Sequence, residues 1–248
     1  SALFITTKGS TPYAQPEASY NVNEFIFNVA LDEQYSEQLT ISNNGEFGSE
    51  LVYEINTSPY PVGSDQVDNF GYAWTDSRQN PEIINYDWID IESEENMMIL
   101  EFENNDTAVQ IDIEFSFPFY DQNYNTCLIN PNGWVGFEDD NNRWNNEAVF
   151  DEESPNAAIF AFWDDLNPEN LTTNGQGTIK YHSNNERTVI WYDNVTHVSN
   201  SNDVYDFQIV LYPSGKVVIN YKQMNWNTNS ATVGIIDQNG NYGLESIY

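Results

Sequence analysis

Positive charge is the first thing that this sequence lacks. Its 248 residues include 7 Lys or Arg and 39 Asp or Glu, so the formal net charge is −32. Nucleic-acid binding relies on Lys and Arg that displace counterions from phosphates, and seven scattered cations cannot form such a surface. An anionic membrane surface would repel the chain for the same reason. We therefore expect no nucleic-acid partner and no attachment to anionic lipid.

Cysteine and long apolar runs are also scarce. The single cysteine, Cys127, excludes a disulfide within the chain and by itself leaves a cytosolic location open. The longest apolar run, 157–163, is far shorter than the roughly 20 residues of a membrane-spanning helix. A start at Ser1-Ala2-Leu3 without Met, and an abundance of Asn, Asp, Ser and Thr, are typical of processed, turn-rich secreted proteins. We expect an extracellular or cell-surface protein without direct membrane insertion.

Helical periodicity is missing as well, and strand patterns take its place. Runs of β-branched and aromatic residues alternate with turn dipeptides, whose glycines supply the positive φ of tight turns. These dipeptides are Asn44-Gly45, Asn132-Gly133, Ser214-Gly215 and Asn239-Gly240. The predicted strands are 24–30, 38–42, 51–56, 98–103, 109–117, 134–137, 158–163, 178–182, 188–192, 205–212, 216–222 and 232–236. The pattern predicts an all-β fold, an antiparallel β-sandwich or jelly-roll-like module.

The clearest hairpin runs from Val204 to Tyr221. Its period of two predicts one apolar face, which continues across the turn and comprises Tyr205, Phe207, Ile209, Leu211, Val217, Ile219 and Tyr221. A domain boundary is predicted near residues 58–66, where two prolines and a glycine oppose regular hydrogen bonding. We therefore expect a small strand region over 1–60 and a larger module over 66–248.

An apolar strand is predicted at residues 2–6. It needs a sheet to pair with, which could belong to this chain or to a neighbouring subunit. Strand addition through Leu3, Phe4 and Ile5 would join copies of the chain into a surface polymer or filament. An in-chain partner for residues 2–6 would remove the motivation for that hypothesis.

Several phrases occur in a characteristic order. They are Phe117–Tyr120, Ile129–Phe137, Ala158–Asp165, Gly177–Tyr181, Val189–Val195 and Tyr205–Gly215. In this order they resemble the nidogen-like extracellular domain and, in a wider form over 66–248, a module of large secreted bacterial proteins. That module occurs beside subtilisin-type proteases or in surface adhesins. The resemblance implies an extracellular, non-catalytic interaction or structural module and supplies no ligand. Residues 1–60, with the phrase Leu39-Thr-Ile-Ser-Asn43, resemble immunoglobulin-like domains more weakly.

Two acidic groups are candidate Ca²⁺ ligands. Asp164 and Asp165 follow an apolar strand, where neighbours point to opposite faces, so joint acid–base catalysis would need a bend. The structural alternative is a turn in which one carboxylate accepts backbone N–H groups. Glu138, Asp139 and Asp140 form an acidic loop whose oxygens suit Ca²⁺, although the EF-hand spacing is absent. A solvated loop is the alternative for this second group.

Signals for an enzyme are weak. His182 and His197 could in principle activate a serine or Cys127. No G-x-S-x-G or activated-thiol motif occurs, so Cys127 is predicted to be a small core residue. Asp90, Glu92 and Glu94 alternate within residues 88–95 and superficially resemble the spaced carboxylates of some glycoside hydrolases. The simpler interpretation is a strand over 88–95 that exposes these acids and points Ile89 and Ile91 inward. We expect no catalytic site.

Tryptophan supplies the candidate ligand-binding residues. Trp144 and Trp226 lie in polar, Asn-rich loops, where exposed rings can stack on sugars. Trp163 and Trp191 lie in apolar strands and are predicted to be core residues. The favoured function is a non-enzymatic structural or adhesion module that binds itself or other cell-surface proteins. The alternative is a carbohydrate-binding accessory module of a secreted protein, with glycans as partners.

Overall fold

The computed structural model describes residues 2–9, 17–20, 38, 40–45, 51–58, 66–78, 80–81, 84, 86–138, 142–172, 175–225 and 228–247. All regular elements in these residues are β-strands, and none of these residues forms a helix that could cross a membrane. In chain order the strands are β1 (Ala2–Gly9), β2 (Ala18–Tyr20), β3 (Ile41–Asn43), β4 (Leu51–Ser58), β5 (Gln66–Val67), β6 (Ala73–Trp74), β7 (Met98–Ile99), β8 (Val109–Phe119), β9 (Gln122–Asn130), β10 (Trp134–Gly136), β11 (Ala158–Trp163), β12 (Leu166–Asn167), β13 (Leu171–Thr172), β14 (Gly175–Gln176), β15 (Thr178–Ser183), β16 (Thr188–His197), β17 (Asn200–Leu211), β18 (Val217–Met224), β19 (Thr232–Ile236) and β20 (Gly243–Ile247). The predicted all-β class is confirmed.

Two antiparallel sheets form the larger part of the described chain. The first sheet has the strand order β20-β19-β11-β10-β9-β8, and the second has β18-β17-β16-β15-β7, with β12 paired to β16. The Tyr192 hydroxyl of the second sheet donates to the Asn130 carbonyl of the first at 2.7 Å. The Tyr221 hydroxyl donates to the Ala161 carbonyl at 2.5 Å. The two sheets are therefore the layers of a sandwich, as the sequence predicts.

Aromatic side chains fill the core, because the strands supply them at alternate positions. Tyr192 and Phe207 stack with ring centroids 4.5 Å apart, within the second sheet. Trp163 belongs to another buried cluster, which also includes Val149 from the loop after β10. Burying side chains of this size is worth about 1.5–3 kcal/mol each, so these clusters are major sources of stability. The prediction that Trp163 is a core residue is confirmed.

The hairpin of β17 and β18 has the predicted register. Phe207 lies opposite Tyr221, and Ile209 lies opposite Ile219. Gly215 closes the turn with a φ of +80°, a conformation that costs glycine no steric penalty. Among the other predicted turn dipeptides, Gly133 and Gly240 also have positive φ.

The outer face of the second sheet is covered by residues 86–97. Ile89 and Ile91 pack with Trp191 and its neighbours in a buried cluster. The side chain of Gln208 is fully buried there; it donates to the Ile89 carbonyl at 2.6 Å and accepts the Ile89 N–H at 3.2 Å. This exchange satisfies a buried amide that would otherwise cost about 1–3 kcal/mol. Burial of Trp191 confirms its predicted core role.

The structure does not contain the strand predicted over residues 88–95. Asp90, Glu92 and Glu94 are exposed and Ile89 and Ile91 buried, as expected, but these residues form no strand. The segment is held to the sheet by side chains such as Gln208 rather than by a backbone ladder, so the alternation of burial survives without β-pairing.

Glu92 forms an ion pair with Lys180. The ammonium group of Lys180 lies 2.7 Å from Glu92, 2.8 Å from Asp193, and 4.3 Å from the centroid of the Trp191 ring. The lysine is almost fully buried. Burial lowers the pKa of its amino group, but the two carboxylates raise it by more, so the net direction is upward. Lys180 therefore anchors residues 86–97 as a cation.

The chain divides into two compact units, which are residues 1–67 with 71–81 and residues 68–70 with 82–248. In the first unit, β1 pairs with β4 from Ala2 opposite Ser58 to Gly9 opposite Leu51, β2 pairs with β3, and β5 with β6. Residues 59–65 and the predicted strand 24–30 lie outside the described residues. The immunoglobulin-like fold of residues 1–60 and the boundary at 58–66 stay predictions.

Candidate functional site at the loop end of the sandwich

Strand ends of both sheets meet at one end of the larger unit, and Asn132 ties three of the connecting segments together. This asparagine is fully buried in the turn between β9 and β10. Its Oδ1 accepts the Leu166 N–H at 2.8 Å, and its Nδ2 donates to the Asn105 carbonyl at 3.1 Å and to Asp106 at 3.3 Å. The neighbouring Asn130 donates to the Asp106 carbonyl at 2.9 Å. Hydrogen bonds from buried side-chain amides thus hold these loops together.

We call this region the loop end. It comprises residues 104–106, 130–133, 143–147, 164–166, 197–199 and 228–231. Backbone and side-chain bonds connect its members: the Val198 N–H donates to the Asp165 carbonyl at 2.8 Å, and the Ser230 hydroxyl donates to Asp164 at 2.7 Å. The loop end therefore has a defined geometry although it contains little regular structure.

Asp164 is a turn residue with a histidine beside it. One of its oxygens accepts the Asp165 N–H at 2.9 Å and lies 3.7 Å from Nε2 of His197, while the other accepts the Ser230 hydroxyl. The structural alternative for Asp164, acceptance of a backbone N–H in the following turn, is what the structure has. Both carboxylate oxygens are occupied by hydrogen-bond donors of this chain.

Ser199 completes a line of three groups that has the composition of a hydrolase triad. Its hydroxyl lies 2.8 Å from Nδ1 of His197, and its backbone N–H donates to the same nitrogen at 3.1 Å. Because a backbone N–H can only donate, Nδ1 of the neutral ring is unprotonated, and Nε2 carries the proton that faces Asp164. The serine lies two residues from the histidine in an exposed turn rather than in a cleft, so the contact serves to close that turn.

The charged form of Asp165 is destabilised by its surroundings. Burial is the largest cause of its raised pKa, Asp106 and Asp164 raise it further, and His197 lowers it. A carboxyl whose pKa is higher in the folded than in the unfolded state binds a proton more tightly when the protein is folded. The stability of the fold therefore falls as the pH rises from the unfolded-state pKa through the folded-state pKa. At neutral pH this carboxylate opposes folding, which is characteristic of residues kept for a role other than stability.

Asp165→Asn is therefore expected to raise the melting temperature at pH 7. The gain should vanish near pH 3, where the carboxyl is protonated in both states. Circular-dichroism melting curves at the two pH values test this. Glu152→Gln is the control, because it removes one charge from an exposed position. An equal gain in both variants would mean that the effect is general repulsion in a chain of net charge −32.

Trp144 is presented to solvent from a fixed backbone. The carbonyl of the preceding Arg143 accepts the indole N–H groups of two buried tryptophans, Trp134 and Trp163, each at 3.1 Å. The Arg143 guanidinium also pairs with Glu153. These contacts fix the chain immediately before Trp144, whose side chain is 48% exposed.

The chain after Trp144 is fixed too. The Asn146 amide donates to the Ser230 carbonyl and to the Thr232 hydroxyl, the latter at 3.0 Å. The Thr232 hydroxyl donates in turn to the Glu147 carbonyl at 2.7 Å. A large, exposed aromatic ring between two anchored neighbours is preorganised for a ligand, because little freedom remains to be lost on binding. The other candidate tryptophan, Trp226, lies outside the described residues.

The candidate Ca²⁺ residues of the second group are only partly described. The Tyr124 hydroxyl donates to Glu138 at 2.6 Å, and burial together with this bond raises the pKa of Tyr124. Asp139 and Asp140 lie outside the described residues. Within the described part of the chain, no group of three or more His, Cys, Asp or Glu side chains is placed to hold a metal ion. A Ca²⁺ site formed by Glu138, Asp139 and Asp140 stays a prediction.

The remaining candidate residues lie in β-strands. Cys127 is buried on β9, and burial raises the pKa of its thiol, so the predicted core role is confirmed. His182 is nearly buried within β15, opposite Val189. Leu3, Phe4 and Ile5 lie in β1, which pairs with β4 of the same chain. The observation that motivated strand donation is thereby removed, and assembly through these residues stays a prediction.

Sequence reasoning missed the polar residues that organise the loop end. Asn132 stood out only as half of a turn dipeptide, and Asn130, Ser199 and Ser230 gave no signal. The partners of Asn130, Asn132 and Ser230 lie 24 to 66 positions away in the chain, such as Asp164 for Ser230, whereas Ser199 contacts the nearby His197. The one signal in the sequence was the turn dipeptide Asn132-Gly133.

Comparison with known proteins agrees with this architecture. A family model described as NIDO related matches residues 84–247, about two thirds of the chain. The chain belongs to the NIDO-related family. Domains of this nidogen type are extracellular, and the match spans both sheets of the sandwich and the loop end. No curated protein and no solved structure matches the chain.

Proposed function

We propose that this NIDO-related protein is a non-enzymatic, extracellular adhesion module that recognises carbohydrate through the loop end. The observation that carries the proposal is Trp144, whose exposed ring lies between the anchored residues Arg143 and Asn146. Aromatic rings of this kind stack on the apolar faces of sugars. Neighbouring amides donate hydrogen bonds to sugar hydroxyl groups and accept them, and neighbouring carboxylates accept them.

The polar groups around Trp144 are suited to neutral hydroxyl-rich ligands. Asn, Asp and Ser side chains dominate the loop end, whereas its cationic side chain, Arg143, is already paired with Glu153. A chain of net charge −32 repels polyanions, so nucleic acids and highly charged polymers are poor ligands. Neutral glycans carry no such penalty.

A hydrolase is the less favourable interpretation of the same residues. Ser199 and His197 are in contact, but Nδ1 of the histidine also accepts the Ser199 backbone N–H, and the serine is exposed in a turn. A serine nucleophile additionally needs oxyanion donors aimed at a bound carbonyl in a site shielded from water. The loop-end geometry supports a turn in place of such a site.

Trp144→Ala is expected to abolish or strongly weaken glycan binding. Truncating a central aromatic contact typically costs about 2–4 kcal/mol, which corresponds to an affinity loss of about 30-fold or more. A glycan array identifies the bound sugar, and isothermal titration calorimetry with that sugar then compares the variant with the unaltered chain. The fold should be retained, because the ring is exposed and its anchors are neighbouring residues.

Tyr86→Ala is the matched control. Tyr86 is similarly exposed but stacks on Trp88, which packs against Trp191 on the outer face of the second sheet. Its removal should leave glycan affinity unchanged within about twofold. Carbohydrate recognition at the loop end would be disproved if the array showed no glycan binding, or if both variants lost affinity equally.

A further inference from the structure

The segment between β10 and β11 runs over the outer face of the first sheet. Phe162 of β11 contacts Tyr205 and Phe207 of the second sheet, with ring centroids 4.6 and 6.0 Å away, so it points into the sandwich. Trp163, the next residue, clusters instead with Val149 of the connecting segment. The two aromatic residues thus point to opposite faces of the sheet, and Val149 packs on the face turned away from the second sheet.

Hydrogen bonds place this segment along β19. The Asn146 amide donates to the Thr232 hydroxyl at the first residue of that strand. The Val149 N–H donates to Glu245 of β20 at 2.7 Å, and Glu245 lies opposite Gly234 in the middle of β19. The segment therefore runs in the direction of β19, from the first residue of the strand towards its last.

Phe150 continues this path to the far end of β19. Its ring lies against Gly243, where an added Cβ would be 3.1 Å from Cζ of the phenylalanine. Gly243 is paired with Ile236, the last residue of β19. Glycine permits this close approach, so the sheet itself fixes the position of the ring. The Phe150 side chain is nevertheless 56% exposed.

Trp144 and Phe150 are thus two exposed rings at opposite ends of one strand. The residues that flank Trp144 are anchored to Trp163 and Thr232, which lie opposite each other where β19 begins. Phe150 lies beside the pair of Ile236, the last residue of β19. At about 3.3 Å per residue, the two ends of this strand are about 13 Å apart. One sugar ring can contact either aromatic ring, whereas a chain of several sugars can contact both.

Polar side chains occupy the segment between the two rings. Asn145 is exposed and donates to Glu147 at 2.9 Å, and the cation of the segment, Arg143, is paired with Glu153. Three exposed acids follow Phe150 in the chain, so an anionic polysaccharide would be repelled. Neutral sugars suit these groups, because their hydroxyls can bond to amides and carboxylates while their C–H faces stack on aromatic rings.

The spacing of the rings favours a straight sugar chain. In a β-1,4-linked chain of pyranoses, equatorial linkages keep successive sugars in an extended ribbon that has apolar C–H faces and hydroxyl groups along its edges. An α-1,4-linked chain coils and cannot follow a straight strand from one ring to the other. A preorganised pair of rings therefore selects the extended chain, which loses little freedom on binding.

We propose that Trp144 and Phe150 together bind an extended, neutral, β-1,4-linked polysaccharide chain that lies along β19. Each ring stacks on one sugar, and the polar side chains between the rings bond to the sugars in the middle. This inference rests on the proposed carbohydrate function and names the class of glycan, a linear chain rather than a terminal sugar. Phe150 is the second aromatic contact of the site.

The probes are cellobiose with cellohexaose and chitobiose with chitohexaose, titrated into the full chain by isothermal titration calorimetry. The hexasaccharide of at least one pair should bind about tenfold or more tightly than its disaccharide, because it reaches both rings. Phe150→Ala should weaken hexasaccharide binding about tenfold or more and leave disaccharide binding unchanged within about twofold. Phe150→Tyr keeps an aromatic ring and should retain hexasaccharide affinity within about threefold. Maltohexaose, which is α-1,4-linked, should bind at least about tenfold more weakly.

Leu171→Ala is the matched control, because Leu171 is 77% exposed and lies in β13, outside the segment. It should change hexasaccharide affinity less than about twofold. Hexasaccharide binding that is weakened by Trp144→Ala but not by Phe150→Ala would overturn this inference and leave the proposed function standing. Failure of both β-1,4-linked hexasaccharides to bind, or equal binding of maltohexaose, would also overturn it. Absence of every glycan from an array would overturn the proposed function as well. Melting curves check that the variants fold.

Discussion

Replacing Gly133 by alanine is expected to destabilise the larger unit by more than about 3 kcal/mol, enough to unfold a marginal domain. Gly133 has a φ of +84°, and an added Cβ would lie 1.9 Å from the carbonyl oxygen of Phe162. That approach is needed, because the Gly133 carbonyl accepts the N–H groups of Ala161 and Phe162 at 3.2 and 3.1 Å. The extra methyl group would force β11 away from the turn that anchors it.

Gly175→Ala separates the steric clash from the backbone strain. Gly175 has a φ of +103°, but among the residues that the structure describes an added Cβ would meet no atom within 4 Å. Strain alone should cost about 1–2 kcal/mol. Urea unfolding followed by tryptophan fluorescence measures both variants, with an unchanged m-value showing that the midpoint shift reports stability. Similar losses at the two glycines would contradict the close packing of Gly133 on β11.

Asn132→Ala has the second large expected effect, a loss of about 2–4 kcal/mol. The substitution leaves the Leu166 N–H and the Asn105 carbonyl without their partner in a fully buried site, and each unsatisfied group costs about 1–3 kcal/mol. Because these two groups belong to different segments of the chain, local loosening of the loop end should precede global unfolding. Hydrogen exchange at Leu166, together with urea unfolding, measures both consequences.

Asn145→Ala is the control for this experiment. Asn145 lies in the same region, is exposed, and donates to Glu147 at 2.9 Å. An exposed bond of this kind should contribute less than about 0.5 kcal/mol. If Asn132→Ala lowered the free energy of unfolding no more than Asn145→Ala does, the hydrogen bonds of the buried amides would not be what holds the loop end together.

Together these expectations describe a rigid loop end built on a β-sandwich. Asp165 opposes folding at neutral pH through its raised pKa, whereas Gly133 and Asn132 support the turn beside it. Stability supplied by the turn residues therefore offsets an unfavourable carboxylate near the proposed glycan site. This arrangement is expected where a surface has been kept for binding rather than for stability.

Local pattern predicted the strands and much of the core. Alternation with a period of two placed Phe207 and Ile209 on one face of β17, and the structure pairs them with Tyr221 and Ile219. The prediction succeeded because side-chain direction in a strand depends on neighbouring residues alone. It failed for residues 88–95, whose alternating burial comes from packing against a sheet without a backbone ladder.

Alternation also could not predict that both faces of β17 are buried. The period of two places Gln208 on the face opposite Phe207, and the structure shows that residues 86–97 cover this face and that Ile89 satisfies the Gln208 amide. The two residues are 119 positions apart, and no local propensity encodes such a contact. Polar residues in strands reveal their burial only when the covering segment is known.

From sequence alone came the all-β class, the sandwich architecture, the anionic character that disfavours polyanion partners, and the exposure of Trp144. The tertiary structure decided which distant residues meet: Asn132 with Leu166, His197 with Asp164, and Phe150 with Gly243. The physical reason is range. Strand formation and amphipathicity act over a few residues, whereas the positions of loops follow from the register and stacking of two sheets, which are fixed only when the whole core is packed.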